Sequence, residues 1–552
     1  MKFEYTGRCR SASEKIIARL AAILPASFSW SVLLGIILLC MLAPVPAVIS
    51  IIVLNFYWML RLTYMTLFLL LSYGRLHLEK KTDWMARIRA FDRWEPRSKG
   101  TWNKAPAREG IRGWISEKIY RAELKMLAKS EASVPPSEAI CHLVIIPIIH
   151  ETAEVVEPGI ESIVRGDFPS RRMIVILAVE ERAPAEVKEA ARALREKYLK
   201  QFLEFFVVFH PDGVPGEARV KGANVTHAAK FATEYFRKHQ IAAEHVIVSC
   251  FDADTVVSAN YFSCLTYCFL ASPNRDRSSF QPMPVFNNNI WDVPSFARVL
   301  EMGASFLQLT EATHSEKLVT FSSHSMSFRA LEEVGYWPVD MISDDSAIFW
   351  KALIHYDGDY RVVPMYTTLS MDAACAGTRW ETMKNIYKQK RRWAWGIENF
   401  PIVIRAFLKN RKMTWPSKIS YLYKLIEVHI SWATCPFILA FIGWVPILLS
   451  KSDLANSVLY YNAPRITGTL FNIAWVSFAV TILLSLALLP DKKIRYPVLR
   501  RIRHAFEWFL IPVVAILLSA VPALDAQTRL MLGQRMEFYV TQKTKLHDSG
   551  HA

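Results

Sequence analysis

The ten residues "HVIVSCFDAD", His245–Asp254, decide the fold, because an apolar run too short for a spanning helix ends abruptly in two carboxylates. Such a run, bounded by polar residues, reads as a buried strand. Three similar runs precede it: "HLVIIPII" (142–149), "MIVILAV" (173–179) and "FFVVFH" (205–210). The segment after Pro184, and another after "FFVVFH", read as helices. Alternating strands and helices predict an α/β domain with a mostly parallel sheet covered on both faces. In such sheets ligands bind beyond the carboxyl ends of the strands, where Asp252 and Asp254 stand. One residue apart on extended chain, the two would project to the same side and share a hard divalent cation. A turn or helix cap explains the pair equally well when it is taken alone.

Working outward, the 552 residues are 52% hydrophobic with a mean hydropathy of +0.17, more apolar than an ordinary soluble protein. The stretch from Phe28 to Tyr73 is about twice the roughly 20 residues one spanning helix needs, and is broken near Pro44 and Pro46. It predicts two transmembrane helices. Basic residues flank them, Arg8, Arg10, Lys15 and Arg19 before and Arg75, Lys80 and Lys81 after, which predicts a cytoplasmic side for both flanks and for the domain that follows. Arg61 falls inside the second span, where it either lines a path or is paired within the bundle. Further spans are expected near 428–449, 468–489 and 506–525, the last, with Pro512 and Pro522, being re-entrant or interfacial as an alternative. The basic "DKKIRYPVLRRIRH" (491–504) between the last two belongs inside.

The expected divisions are a basic cytoplasmic N-terminus (1–27), two transmembrane helices (28–73), a connector (74–137), a cytoplasmic domain (138–380), an amphipathic interfacial helix (381–410), a C-terminal transmembrane region (411–525) and a tail (526–552). The net charge of +16 favours anionic partners, lipid head groups or nucleotide phosphates, and the membrane segments disfavour nucleic acid. Eight scattered cysteines, of which only Cys264 and Cys268 lie close together, predict buried thiols in a reducing compartment rather than a zinc site.

Two later stretches carry chemistry. "ISDD" (342–345) opens an apolar helix, where Asp344 and Asp345 either complement the helix dipole or supply a general base, Asp344 holding backbone and Asp345 pointing into the cleft. "KNIYKQKRRWAWGIENF" (384–400) sets Gln389, Arg392 and Trp393 on one helix face, an amide, a cationic fork and a flat ring. That face suits a phosphate and a sugar, or anionic lipid.

"FDADT", "TFSSHSMSFRALEEVGYW" with "ISDD", and "QKRRW", in this order, resemble the membrane-embedded family 2 glycosyltransferases that include cellulose, chitin and hyaluronan synthases. The resemblance covers roughly residues 138–410 and implies a nucleotide-sugar-binding GT-A-like domain, an inverting transfer and Mg²⁺ or Mn²⁺ as cofactor. It implies a nucleoside-diphosphate sugar, a UDP-sugar foremost, as donor, and a growing polysaccharide as acceptor. Carried over by position, Asp345 is the catalytic base, Asp254 and Asp252 the metal ligands, and Pro147, Glu151, Glu180, Lys221, Asp252 and Arg392 the donor contacts. Gln389, Trp393 and His324 become acceptor contacts, though His324 suits a structural hydrogen bond equally well. Glu180 and Glu181 replace the usual aspartates after the second strand, which leaves base selection open, and "SSHS" (322–325) replaces a glycine-rich stretch. Asn224 matches an amide near the donor. Single transfer onto a lipid is the enzymatic alternative, and a non-catalytic transporter or scaffold the remote one.

Overall fold

In the computed structural model, the described residues are 11–93, 110–130, 133–441, 458–489, 505–539 and 541. Arg8 and Arg10, the stretch 491–504, the last part of the span expected at 428–449, and the end of the tail, 542–552, lie outside them. The described residues divide into two compact units, one lying within 72–288 and 311–372, the other within 11–71, 289–310 and 373–541.

The first unit is built on an eight-stranded sheet. Its strands are β1 (Cys141–Ile148), β2 (Met173–Glu180), β3 (Glu204–His210), β4 (Val246–Cys250), β5 (Val256–Val257), β6 (Ser278–Val285), β7 (Ser325–Ser327) and β8 (Arg361–Ser370), in the order β3-β2-β1-β4-β7-β6-β8-β5. The pairs β1/β2, β2/β3, β1/β4 and β6/β8 are parallel, whereas β7 runs antiparallel between β4 and β6, and β5 antiparallel on β8. The sheet is therefore α/β and mostly parallel, as its apolar runs require. All five residues of β4 are buried, and β1 and β2 each leave one residue partly exposed, the pattern of strands covered on both faces. Helices Ala153–Val164, Ala185–Tyr198 and Lys221–Lys238 supply the crossovers between the first four strands.

The second unit is helical. The first helix runs Ala12–Leu42, so helical structure begins well before the expected boundary at Phe28, with Ser11 accepting from Glu14 N–H as its cap. Pro25 is accommodated inside it, and the break comes at Ala43, before the helix Pro44–Glu79. Ile36 and Cys40 of the first helix meet Ala47, Ile51 and Ile438 in a small apolar cluster. Among the described residues three helices, Ala12–Leu42, Val45–Glu79 and Ala505–Leu532, are long and apolar enough to cross a membrane. The last is continuous in helical character but changes pitch, with a π turn at Ile516–Ala520. The helix expected from 428 starts at Trp415 instead, since Pro416 suits a first turn and Thr414 precedes it. Its Glu427 pairs with Arg61, which also reaches Ser431 Oγ at 3.3 Å and lies over the Trp58 ring. Arg61 is thus paired within the bundle. The described cysteines are all free thiols and most are buried.

Candidate functional site

In the sheet unit, chain segments far apart in sequence converge beyond the carboxyl end of β4. Asp252 and Asp254 do not continue the strand: Thr255 N–H bonds to Asp252 carbonyl at 3.0 Å, closing a turn, so strand alternation no longer governs where they point. The expectation that both carboxylates share one side of an extended chain is corrected accordingly. Asp252 keeps a side chain 32% exposed, while Asp254 is buried and its Oδ2 accepts from Asp372 N–H at 2.6 Å.

Lys221, the first residue of the helix Lys221–Lys238, connects the site. Its Nζ donates to Asp252 Oδ1 at 2.8 Å and to Asp345 Oδ1 at 3.0 Å. Burial works against the charge on Lys221, and the carboxylates of Asp252 and Asp345 outweigh it, holding its pKa above the ordinary value. Gly222 permits this placement, because a Cβ there would lie 2.2 Å from Pro338 carbonyl oxygen. Asp344 and Asp345 open the helix Asp344–His355. Asp344 is buried, whereas Asp345 is partly exposed and faces Lys221, and its carbonyl accepts from Thr320 Oγ1 at 2.6 Å.

The stretch that stands in place of a glycine-rich loop closes over Asp252. Ser322 Oγ donates to Asp252 Oδ2, and Ser323 Oγ accepts from Asp252 N–H at 3.1 Å and pairs with Thr255 Oγ1 at 2.9 Å. Ser323 does so with φ +59°, a left-handed conformation that glycine adopts without strain. The sequence shows these serines as a departure from a glycine-rich stretch, but not the bonds their hydroxyls make to Asp252 and Thr255.

Several residues expected as donor or acceptor contacts make internal bonds that hold the fold. His324 is fully buried, its Nδ1 donates to Phe321 carbonyl at 3.1 Å, and burial presses its pKa below the ordinary value while Asp345 opposes the shift. The acceptor contact expected of His324 is corrected: a side chain with no exposed surface offers none. Asn224 is also buried, tying its helix to Ala178 carbonyl of β2 at 2.7 Å. Glu151 accepts from Ile149 and His150 N–H at 2.8 and 3.0 Å, closing the turn after β1, and Pro147 sits in β1 in register with Ala178.

Glu180 ends β2 and pairs with Arg182 at the edge of a cleft of about 130 Å³. His210, Asp212, Glu217, Arg219 and Val220 complete much of its lining, so the cleft runs up to the residue before Lys221. Within it His210 Nε2 and Glu217 Oε2 are 2.8 Å apart, and Arg219 forks onto Asp212 at 2.7 and 3.1 Å. Among the described residues no group of three or more His, Cys, Asp or Glu side chains is placed to hold a metal ion. An ion of the Mg²⁺ kind needs no such group, since one or two carboxylates and substrate phosphates suffice. The two hard carboxylates of the Asp252 turn fit it, with Asp252 the more exposed.

In the helical unit, Thr378 and Glu381 form a capping box that starts the helix Arg379–Ala394. Gln389 is buried, and Arg392 and Trp393 are half-buried. Arg392 lies over the Phe538 ring at 5.0 Å. The basic residues between them are not lipid-facing anchors: Lys390 pairs with Glu301 at 2.9 Å and Arg391 with Asp525 at 2.9 Å. Glu301, Asp525 and Phe538 also escaped the sequence reading, because their partners lie far away along the chain.

Residues 247–489 match the model of the Glycosyl transferase family group 2, a stretch that begins inside β4 and holds Asp252, Asp254, Asp345 and the Gln389–Trp393 stretch. Over 160 residues the chain is 29% identical to the poly-β-1,6-N-acetyl-D-glucosamine synthase of Staphylococcus epidermidis, covering 28% of this chain and 35% of that protein. Over 83 residues it is 37% identical to the synthase of the same name from Staphylococcus aureus, covering 15% and 18%. The chain thus aligns with about a third or less of the curated relatives' length. Among solved structures, a mannosyltransferase from Pyrobaculum calidifontis in complex with GDP-Man and Mn²⁺ is similar at a TM-score of 0.38 and 16% identity, covering 66% of this chain and 96% of that one.

Proposed function

We propose that the protein is an inverting glycosyltransferase that moves a sugar from a nucleoside-diphosphate sugar to a growing polysaccharide at the membrane, with its sheet unit in the cytoplasm. The observation that carries this reading is Lys221 joining Asp252 to Asp345 beyond the carboxyl end of β4. A carboxylate that binds a donor and one that takes a proton must stand this close for one transfer. Asp345 takes the proton of the acceptor hydroxyl as that oxygen bonds to the sugar carbon, and the bond to the diphosphate breaks with its electron pair leaving on phosphate oxygen. Lys221 holds both carboxylates in place. Asp252 and Asp254 are the residues that would hold Mg²⁺ or Mn²⁺, which when bound offsets charge on the leaving diphosphate.

Glu180, at the cleft beside β2 and β3, suits the hydroxyls of a ribose or the N–H of a base, with the cleft taking the nucleoside. Arg392 and Trp393 are assigned to diphosphate and acceptor sugar, and Gln389 to the acceptor, on their motif alone. The names of the relatives make a polymer of N-acetylglucosamine the first product to seek, and with the UDP-sugar that the sequence motifs favour, UDP-N-acetylglucosamine is the first donor to try. Three helices of spanning length among the described residues support a membrane location. Screening purified protein against nucleotide sugars for released diphosphate tests the reading. Folded protein that turns over none of them, with Mg²⁺ or Mn²⁺ present, would sink it. Products of one sugar on lipid, rather than a ladder on a gel, would favour single transfer.

A further inference from the structure

Lys390 is 3% exposed and Glu301 fully buried, and they pair at 2.9 Å inside the helical unit. Taking both charges out of water costs several kcal/mol per ion, and apolar residues of similar volume often serve stability as well or better. The pair therefore calls for a reason other than stability. Its geometry supplies one: Lys390 Nζ lies 3.6 Å from the centroid of the Trp393 ring, three residues along the same helix. A cation on the ring face is attracted by the π system, and a cation pinned by a buried carboxylate restrains the ring's tilt. Trp393 keeps part of its surface exposed, so the restrained ring still has area for a ligand. Burial works against the charge on Lys390 and Glu301 opposes it, so the cation depends on that carboxylate.

We infer that Lys390, fixed by Glu301, is a positioning residue that sets the Trp393 ring as a stacking platform for the acceptor sugar. This rests on the reading of Trp393 as an acceptor contact. The test uses the full chain in detergent, UDP-N-acetylglucosamine or whichever nucleotide sugar the screen finds turned over, and a β-1,6-linked N-acetylglucosamine tetrasaccharide as added acceptor. The double variant Lys390→Met/Glu301→Leu replaces both charges by apolar groups and keeps the packing. Its acceptor KM should rise by about threefold to tenfold, the worth of one cation–π contact, with donor KM unchanged. Trp393→Ala should raise acceptor KM further. If Trp393→Ala raises it and the double variant does not, the pair is structural only and the inference falls alone. If Trp393→Ala leaves acceptor KM at the wild-type value, or no donor is turned over, the functional reading falls and takes the inference with it. Should the double variant fail to fold, Glu301→Gln reads out the same quantity: a raised acceptor KM supports the inference and a wild-type one overturns it.

Discussion

Lys221 Nζ stands 3.0 Å from Asp345 Oδ1 while donating to Asp252 Oδ1 at 2.8 Å, so one ammonium serves two carboxylates brought from different elements. Removing it by Lys221→Met leaves two like charges facing each other. The expected loss of stability is about 1–3 kcal/mol, below the figure for a fully buried pair because solvent reaches both carboxylates. A thermal midpoint measured in detergent checks this. Lys221→Met/Asp252→Asn should regain most of the lost midpoint but not turnover. If the single variant melts like wild type, the ammonium is not the link described.

Ser323 holds φ +59° and accepts from Asp252 N–H at 3.1 Å. Ser323→Ala keeps the backbone cost and loses the acceptor, for about 1–3 kcal/mol. Ser323→Gly loses the same hydroxyl but recovers about 1 kcal/mol of left-handed strain. The glycine variant should therefore melt above the alanine variant. Alanine matching or exceeding glycine would mean that the backbone carries no strain there.

His142 gives a pH dependence with a definite sign. It lies buried in β1, its Nε2 2.8 Å from Thr266 Oγ1, with Phe168 and Phe262 edge-on at 4.8 and 5.1 Å. Burial, aided by Arg172, lowers its pKa to about 3. The unfolded chain then binds a proton that the folded chain refuses between about pH 6.5 and 3, so stability falls as pH drops through that window. One such group contributes about 1.4 kcal/mol per pH unit. His142→Phe should make the acid limb of the melting curve shallower by one proton. An unchanged slope would show that His142 is not among the groups responsible.

Strands β1 to β4 were readable because continuous Val, Ile and Leu runs have few other places to go, whereas the parallel pair β6/β8, interrupted by Ser, Gln, Pro and Thr, was not read. β7 was not, since "SMS" carries no apolar pattern and is placed by pairing with β4 and β6. At the site, residue types were readable and their partners were not. Asp252, Asp345 and Lys221 could each be picked out from local sequence, but their shared contact depends on three elements meeting. His324 misled because an imidazole suits a ligand and a core equally well, and burial alone decides. The basic run around Lys390 misled in the opposite direction: its counter-ions Glu301 and Asp525 come from helices no local window includes.

Asp345 separates binding from chemistry at one residue. An inverting transfer needs one base for the acceptor proton, on the face of the sugar opposite the diphosphate. Asp345 is partly exposed beside Lys221, whereas its neighbour Asp344 is buried, so only Asp345 has surface to offer a hydroxyl. Asp345→Asn keeps the shape and an oxygen for Lys221 but cannot take up the proton. Turnover should fall by about 10²- to 10⁴-fold, the usual worth of a general base, while donor affinity measured by nucleotide-sugar titration barely moves. Asp344→Asn should act on the melting midpoint more than on turnover. Should Asp345→Asn keep near wild-type turnover while Asp344→Asn abolishes it, the two carboxylates exchange roles; if donor affinity collapses with Asp345→Asn, the residue belongs to binding and the base lies elsewhere.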